Sequence, residues 1–317
     1  MLVAGYALPA SAQVFSANHN ITSSITPETP APNEEVSIRI QSFNTDLGSA
    51  FITWSVNGVE KLSGTGKTVF TFTTGNNGSL NVVRMYARTK EGETVTRDYR
   101  IAPGIVSLFW EAETYTPPLY RGKAQFTTDA SLRVIALPTI IENGVEVSPA
   151  NLFYAWMING EEKPLLSGYG KESIVIPAKD TAKRSVVISV KVTSRSGGEA
   201  ETSTTIEPVR PEILLYEKDP LLGILFNRAI TGDFLLSQNE VHFEAFPFFF
   251  SSYSNQDPRI TYQWRMNNKM IENEEGSHAI TLRNENQEGT AYISLQASHQ
   301  ENLFQTAQKT VLINFKN

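Results

Sequence analysis

Cysteine is absent from this chain of 317 residues. No disulfide, thiolate metal site or cysteine nucleophile can form, so any domain must be held by packing alone. Positive charge is in short supply as well. The 27 Lys and Arg face 33 Asp and Glu, leaving a net charge of −6, the wrong sign for neutralising phosphates, which excludes nucleic acid as a partner. Histidine occurs four times, at His19, His242, His278 and His299, and no two of these stand at metal-ligand spacing. Beyond the first residues no stretch approaches the roughly 20 apolar residues that span a bilayer, so no direct membrane span is expected. Neither a Gly-x-Ser-x-Gly elbow nor a His-x-x-Glu-His run is present. The expectation is therefore a protein that is not an enzyme and carries no cofactor.

What the chain does have is a repeat. Ile-Thr-Trp54-Ser-Val-Asn57-Gly58 returns as Tyr-Ala-Trp156-Met-Ile-Asn159-Gly160 and again as Tyr-Gln-Trp264-Arg-Met-Asn267-Asn268, at spacings of 102 and 108 residues. A period near 100 fits one β-sandwich per copy and is too long for a solenoid unit of roughly 20 to 50 residues. Each copy starts with an alternating strand, at 35–41, 131–137 and 240–246, whose period of two sends one face to a core and the other to water. The Trp strand follows. The Asn-Gly or Asn-Asn after it tolerates the positive φ of a tight hairpin turn. Further strands are predicted at 68–73, 172–177 and 278–283, at 80–89, 185–194 and 291–298, and at 94–101, 201–206 and 309–315. Proline marks the seams at Pro103, Pro208 and Pro211, since it cannot donate to a ladder.

The predicted fold is all-β: three tandem sandwiches in a stiff, elongated array. Residues 25–103 form the first domain, 104–210 the second and 211–317 the third. They carry 8 basic and 8 acidic, 11 and 12, and 8 and 13 side chains respectively, so the acidity gathers in the last copy. Ahead of them, Leu2–Leu8 is a short apolar stretch, followed by the small-x-small pattern Ala10-Ser11-Ala12. Residues 1–12 are read as an export signal, with a start further upstream to account for the missing basic residues, and 13–24 as a linker. The location expected is extracytoplasmic: cell surface, periplasm or secreted.

The arrangement resembles the immunoglobulin-like and PKD-type domains of bacterial surface proteins. Tyr262-Gln-Trp264-Arg-Met-Asn267-Asn268 looks like their Trp strand and turn, and Glu288-Gly289-Thr290-Ala291-Tyr292-Ile-Ser294 like their penultimate strand. The Gly-Asp-Gly turn typical of PKD domains is replaced by Asn-Gly, which points to the broader immunoglobulin-like class. The resemblance implies a surface protein that works by binding.

Trp54, Trp156 and Trp264 are assigned to the core, because three copies at one register fill the space between two sheets. Gly64-Thr-Gly66-Lys67 is not a phosphate loop: position 61 is Lys where that motif needs Gly, and Ser167-Gly-Tyr-Gly170-Lys171 repeats it before another strand. Glu272-Asn273-Glu274-Glu275, with Asp257, Glu285 and Glu288, is an acidic rim that lacks the regular spacing of calcium loops; calcium binding there is left open.

Two features exceed a plain sandwich. Copies two and three begin with long lead-ins, Trp110-Glu111…Tyr120-Arg121-Gly-Lys123-Ala124 and Tyr216-Glu217…Phe226-Asn-Arg228-Ala229. Each is read either as a hook packed against the preceding copy or as a recognition element offering Tyr120, Arg121, Lys123, Phe226 and Arg228. The other is Phe246-Pro247-Phe248-Phe249-Phe250. Consecutive aromatics cannot all face inward from a period-two strand, so Phe248, Phe249 and Phe250 are candidates for an interaction surface unless a loop covers them. The function expected is a non-catalytic adhesin, spacer or scaffold of the cell envelope, working through contacts with an unknown envelope protein. The alternative is a carbohydrate-binding or accessory module of an exported hydrolase system, with a surface glycan as partner.

Overall fold

The computed structural model describes residues 21–181, 185–271, 277–285 and 288–316; residues 1–12, read above as an export signal, and most of 13–24, read as a linker, lie outside them. Among the described residues there are strands and two short 3-10 turns, and no α-helix. No helix is therefore long and apolar enough to cross a membrane.

Copy one runs through β1 (Ile21–Thr26), β2 (Glu35–Ser42), β3 (Phe51–Val56), β4 (Val59–Thr65), β5 (Val69–Thr73), β6 (Asn81–Arg88) and β7 (Thr94–Pro103). Copy two runs through β8 (Ile105–Ala112), β9 (Leu132–Thr139), β10 (Ile141–Glu142), β11 (Val145–Glu146), β12 (Phe153–Ile158), β13 (Glu161–Glu162), β14 (Gly168–Tyr169), β15 (Ser173–Ile176), β16 (Val186–Thr193) and β17 (Gly198–Ile206). Copy three has β18 (Glu212–Asp219), β19 (Gly223–Ile230), β20 (Phe234–Leu236), β21 (Glu240–Phe248), β22 (Ile260–Met266), β23 (Lys269–Met270), β24 (Ala279–Arg283), β25 (Gly289–His299) and β26 (Thr306–Phe315). The strands expected from alternation all form, most with ends within two or three residues of those expected.

The chain divides into two compact units. One runs to Ile105 and takes in Ile140–Glu146 and Ser196–Ala200; the other takes in Val106–Thr139, Val147–Arg195 and everything from Glu201 on. In the first unit, sheet β1-β2-β5 faces sheet β7-β6-β3-β4. Val36, Ile38 and Ile40 of β2 point into the core between the sheets, with Trp54 and Met85 fully buried beside them, while Glu35, Arg39 and Gln41 face out.

The second unit repeats that plan twice. Sheet β8-β9-β15 is matched with β12, which is paired on its two sides by β16 and by β13 and β14. Sheet β19-β18-β21-β24 is matched with β20-β26-β25-β22-β23. In the last sandwich β20 runs parallel to β26, so the lead-in of copy three crosses from one sheet to the other. The fold is thus all-β, built of tandem immunoglobulin-like sandwiches.

Candidate interaction surfaces

The Trp-x-x-Asn motif builds the same local device three times. Trp54, Trp156 and Trp264 are 0%, 1% and 1% exposed. Each indole N–H donates to a backbone carbonyl just ahead of β5, β15 or β24 respectively: Lys67 O at 2.8 Å, Lys171 O at 2.9 Å and Ser277 O at 2.9 Å. Burying an indole without such an acceptor would leave its donor unsatisfied. The Gly-Lys pairs of Gly66-Lys67 and Gly170-Lys171 therefore serve as acceptor loops. Gly66 sits at φ +70, and a Cβ there would come within 2.7 Å of Gly48 O.

The asparagines do more than permit a turn. Asn57, Asn159 and Asn267 have φ of 49°, 54° and 47°, the left-handed conformation of a primed hairpin turn. Their Oδ1 atoms accept from Val82 N at 2.8 Å, Val187 N at 3.0 Å and Tyr292 N at 2.9 Å. Their own N–H groups donate back to the carbonyls of the same residues. The turns are thereby pinned to β6, β16 and β25 respectively, a role no sequence pattern announced.

The two lead-ins behave differently. In copy two, residues 113–131 leave β8 and return to β9 as a strap closed on itself: Ala112 N donates to Ala124 O at 3.2 Å, Glu113 N to Ser131 O at 2.9 Å and Thr114 Oγ1 to Gln125 O at 2.8 Å. One expectation had this strap as a hook on the preceding copy; the bonds it makes here are with the following one. Tyr115 N donates to Phe250 O and Phe249 N donates to Tyr115 O, both at 2.8 Å. The Tyr120 ring stands edge-on to Phe248 and Phe249 at 5.6 and 5.9 Å.

The Phe run explains the direction. On β21, Val241, Phe243 and Ala245 fill the core between the sheets, together with Phe250, whereas Phe246 and Phe248 stand on the outer face. Left bare, that face would be a large apolar patch. The strap closes over Phe248, as Tyr216 and Phe226 do over Phe246, and the far half of β21 is buried on both faces. Phe248 is 8% and Phe250 0% exposed, so neither is offered to a partner as expected; Phe249, at φ +63, is partly buried beneath Tyr115 and Tyr120. Pro247 is tolerated because β24 pairs only with residues 240–244 of β21, leaving no ladder for its missing N–H.

In copy three the lead-in folds back into its own sheet. β19 pairs with β18, the register breaking between Tyr216 and Lys218, and Phe226 meets Tyr216 and Phe246 at 5.3 and 5.1 Å. Phe226 is thus part of an aromatic cluster and no free contact. Arg228 is exposed near the bulge, and Leu221 and Leu222 at the hairpin tip are 94% and 77% exposed. Arg121 is exposed on the strap. Lys123 lies with its Nζ 3.2 Å from the centre of the Trp110 ring, where desolvation lowers its pKa, so it is spent on its own neighbour.

Polar residues missed by sequence reasoning lock the strap in place. Gln305, 1% exposed, donates from Nε2 to Thr128 O at 2.9 Å and to Ser251 Oγ at 2.8 Å, and accepts from Ser251 N at 2.8 Å. His299 Nδ1 accepts from the N–H groups of Glu301 and Asn302, leaving Nε2 to face Ser251 O at 3.1 Å. Glu244, buried under the aromatic patch, meets Asn255 at 3.0 Å and both Lys218 and His278 at 3.4 Å. Desolvation, and after it the Glu244 carboxylate, pushes the Tyr115 hydroxyl up to about 12.

Asp257 accepts four hydrogen bonds, two from the Arg259 side chain and one each from the N–H groups of Arg259 and Tyr253. The Arg259 guanidinium holds its carboxyl well below the usual range. An aspartate so engaged is no calcium ligand, and residues 272–275 of the acidic rim lie outside the described residues. Among the described residues no three His, Cys, Asp or Glu are placed to hold a metal.

No family model and no curated protein matches the chain. Among solved structures, three N-terminal domains of the highly immunogenic outer capsid protein of bacteriophage RB49 are 10% identical, over 93% of this chain and 97% of that one, at a TM-score of 0.26. The central fibronectin-III array of RIM-binding protein is 13% identical over 91% and 94%, at 0.31. A structure of a 1.5-MDa bacterial ice-binding adhesin is 9% identical over 94% and 99%, at 0.24. The chain is similar to these at low scores, and its sandwich assignment rests on the sheets described above.

Proposed function

We propose that the chain is a non-catalytic, exported protein of a bacterial envelope, acting as an adhesin, spacer or scaffold through contacts with another envelope protein. The strap carries this reading. It joins two sandwiches through paired backbone bonds, an aromatic layer and a buried glutamine, which is the construction of a rigid carrier of surfaces. The buried titratable groups point the same way. Glu244, Asp257 and His299 are each engaged in bonds that hold loops, with none turned toward a reacting centre. Residues 2–12, a short apolar stretch ending in a small-x-small pattern, support export.

Arg121, Arg228 and the Leu221-Leu222 tip are the surfaces offered for contact. Cross-linking of the full chain in its native envelope tests this. The expected result is one protein partner whose capture falls at least about tenfold in an Arg121→Glu, Arg228→Glu double variant, roughly 1.4 kcal/mol of contact energy. Absence of any protein partner, or capture indifferent to both arginines, overturns the reading.

A further inference from the structure

One groove in the second unit is used by nothing described so far. Its volume is about 600 Å³, and Glu113 and Asp129 of the strap, Ser252, Tyr253 and Arg259 of the loop after β21, and Glu301 of the turn between β25 and β26 all line it. The groove thus exists because the strap is docked: each wall comes from a different element, and the packing of Gln305 against Thr128 and Ser251 fixes those elements together.

Its features are those of a built site. Tyr253 is 89% exposed, an aromatic ring left in water at the rim while the other aromatic residues of the strap junction are wholly or partly covered. Arg259 lies against that ring, its guanidinium carbon 5.2 Å from the ring centre, and Asp257 fixes the guanidinium from behind through Nε and Nη2. Asp129 is held at φ +63, a conformation that costs a non-glycine residue energy and persists where surroundings impose it. Ser252 is 7% exposed, and its hydroxyl is buried with no hydrogen-bond partner, a deficit native structures seldom leave unexplained.

The lining chemistry narrows the ligand. Carboxylates only accept hydrogen bonds and a guanidinium only donates them, whereas an aliphatic hydroxyl does both. An anion would face three carboxylates, and a metal ion would find no three carboxylate or imidazole groups among the described residues placed to hold it. An apolar ligand would strip water from four charges without replacing it. A neutral polyhydroxylated ligand satisfies all of them, with its hydroxyl edges on Glu113, Asp129, Glu301 and Arg259 and its C–H face on the Tyr253 ring. The volume lies within the range of ordinary small-ligand pockets, enough for one or two sugar rings.

We propose that this groove binds a segment of a neutral glycan. The site stands apart from the protein contacts proposed above and does not depend on them. The test is calorimetric titration of the full chain with four neutral hexasaccharides, of β-1,4-linked glucose, mannose, xylose and N-acetylglucosamine, beside polygalacturonate and polylysine as charged controls. At least one neutral hexasaccharide should bind saturably. Tyr253→Ala and Glu301→Gln, both at exposed positions, should each weaken it about tenfold or more, with the melting temperature unchanged and capture of a protein partner intact. Binding by none of the four, binding indifferent to both variants, or binding of a charged control alone overturns the proposal. Loss of protein capture through Arg121 and Arg228 with sugar binding intact would sink the scaffold reading and leave this one standing.

Discussion

The interior around the three tryptophans and the strap at residues 113–131 are built on opposite plans. Around Trp54, Trp156 and Trp264 the same indole-to-carbonyl bond and the same asparagine pin recur at each copy. The strap occurs once. Its counterpart in copy three starts from a similar aromatic-Glu pattern but ends as a hairpin in its own sheet. The difference lies in what each must cover. The interior solves a problem every sandwich has, filling the gap between two sheets, so it repeats. The strap answers a local need, covering the Phe248–Phe249 end of the apolar outer face of β21, so it is particular to that junction.

The largest expected effect comes from breaking the repeated half of this comparison. Trp156→Ala and Trp264→Ala should each destabilise their sandwich by about 3 to 5 kcal/mol, the range for buried aromatic truncation. Chemical denaturation followed by fluorescence reads the loss, and a change under about 1 kcal/mol would contradict the core assignment. Breaking the unique half should cost less but reach further. A Tyr115→Ala, Tyr120→Ala double variant uncovers Phe248 and Phe249, at about 2 to 3 kcal/mol for the two partly buried rings. The strap spans the second and third sandwiches, so in calorimetry the transition of the second unit, one in the parent, should separate into two in the variant. A transition of the second unit already divided in the parent would show that the strap does not couple them.

Gln305→Ala probes the polar lock alone. It leaves Thr128 O and the Ser251 groups without their partner, at about 1 to 3 kcal/mol for buried groups left unpaired; hydrogen exchange at Ser251 should rise first. The pH limits of this junction follow from two groups with opposite signs. Asp257 titrates below its unfolded value, so the unfolded chain binds the extra proton first, and stability present above about pH 4 is lost as the pH falls. Tyr115 is held up at about 12, so above about pH 10 the unfolded chain loses its proton first and stability falls as pH rises. Asp257→Asn and Tyr115→Phe should flatten the acid and alkaline arms respectively in a thermal-melt series, and an unchanged profile in either would remove that group from the account.

How much of this was legible in the sequence depends on the range of the forces involved. Strand order, turn type and the tryptophan core could be read because alternation and Asn-Gly chemistry are local. The cover on Phe248 and Phe249 could not, because it depends on Tyr115 and Tyr120, more than a hundred residues earlier. Nothing in the Phe run itself separates an exposed aromatic from a covered one. The groove was illegible for the same reason: Glu113, Tyr253 and Glu301 come from three elements, and Tyr253 is a single tyrosine in a Ser/Asn-rich loop. Gln305 carries no signal either, since a glutamine in a hairpin turn is ordinarily solvated and here is buried by a partner strap.

The smallest expected effect sharpens the comparison from the other side. Arg121 and Arg228 occupy similar places in the two lead-ins, yet neither joins the aromatic layer. If the lead-ins diverged only to cover apolar faces, these arginines are idle for folding, and Arg121→Ala and Arg228→Ala should each change stability by no more than about 0.5 kcal/mol, as exposed substitutions do. Any effect on partner capture would then be an effect on binding alone. A loss above about 1 kcal/mol in either variant, read by denaturation, would mean that the basic residue holds the lead-in in place. The surface assigned to contact would then have to be moved to the Leu221-Leu222 tip, whose side chains are 94% and 77% exposed.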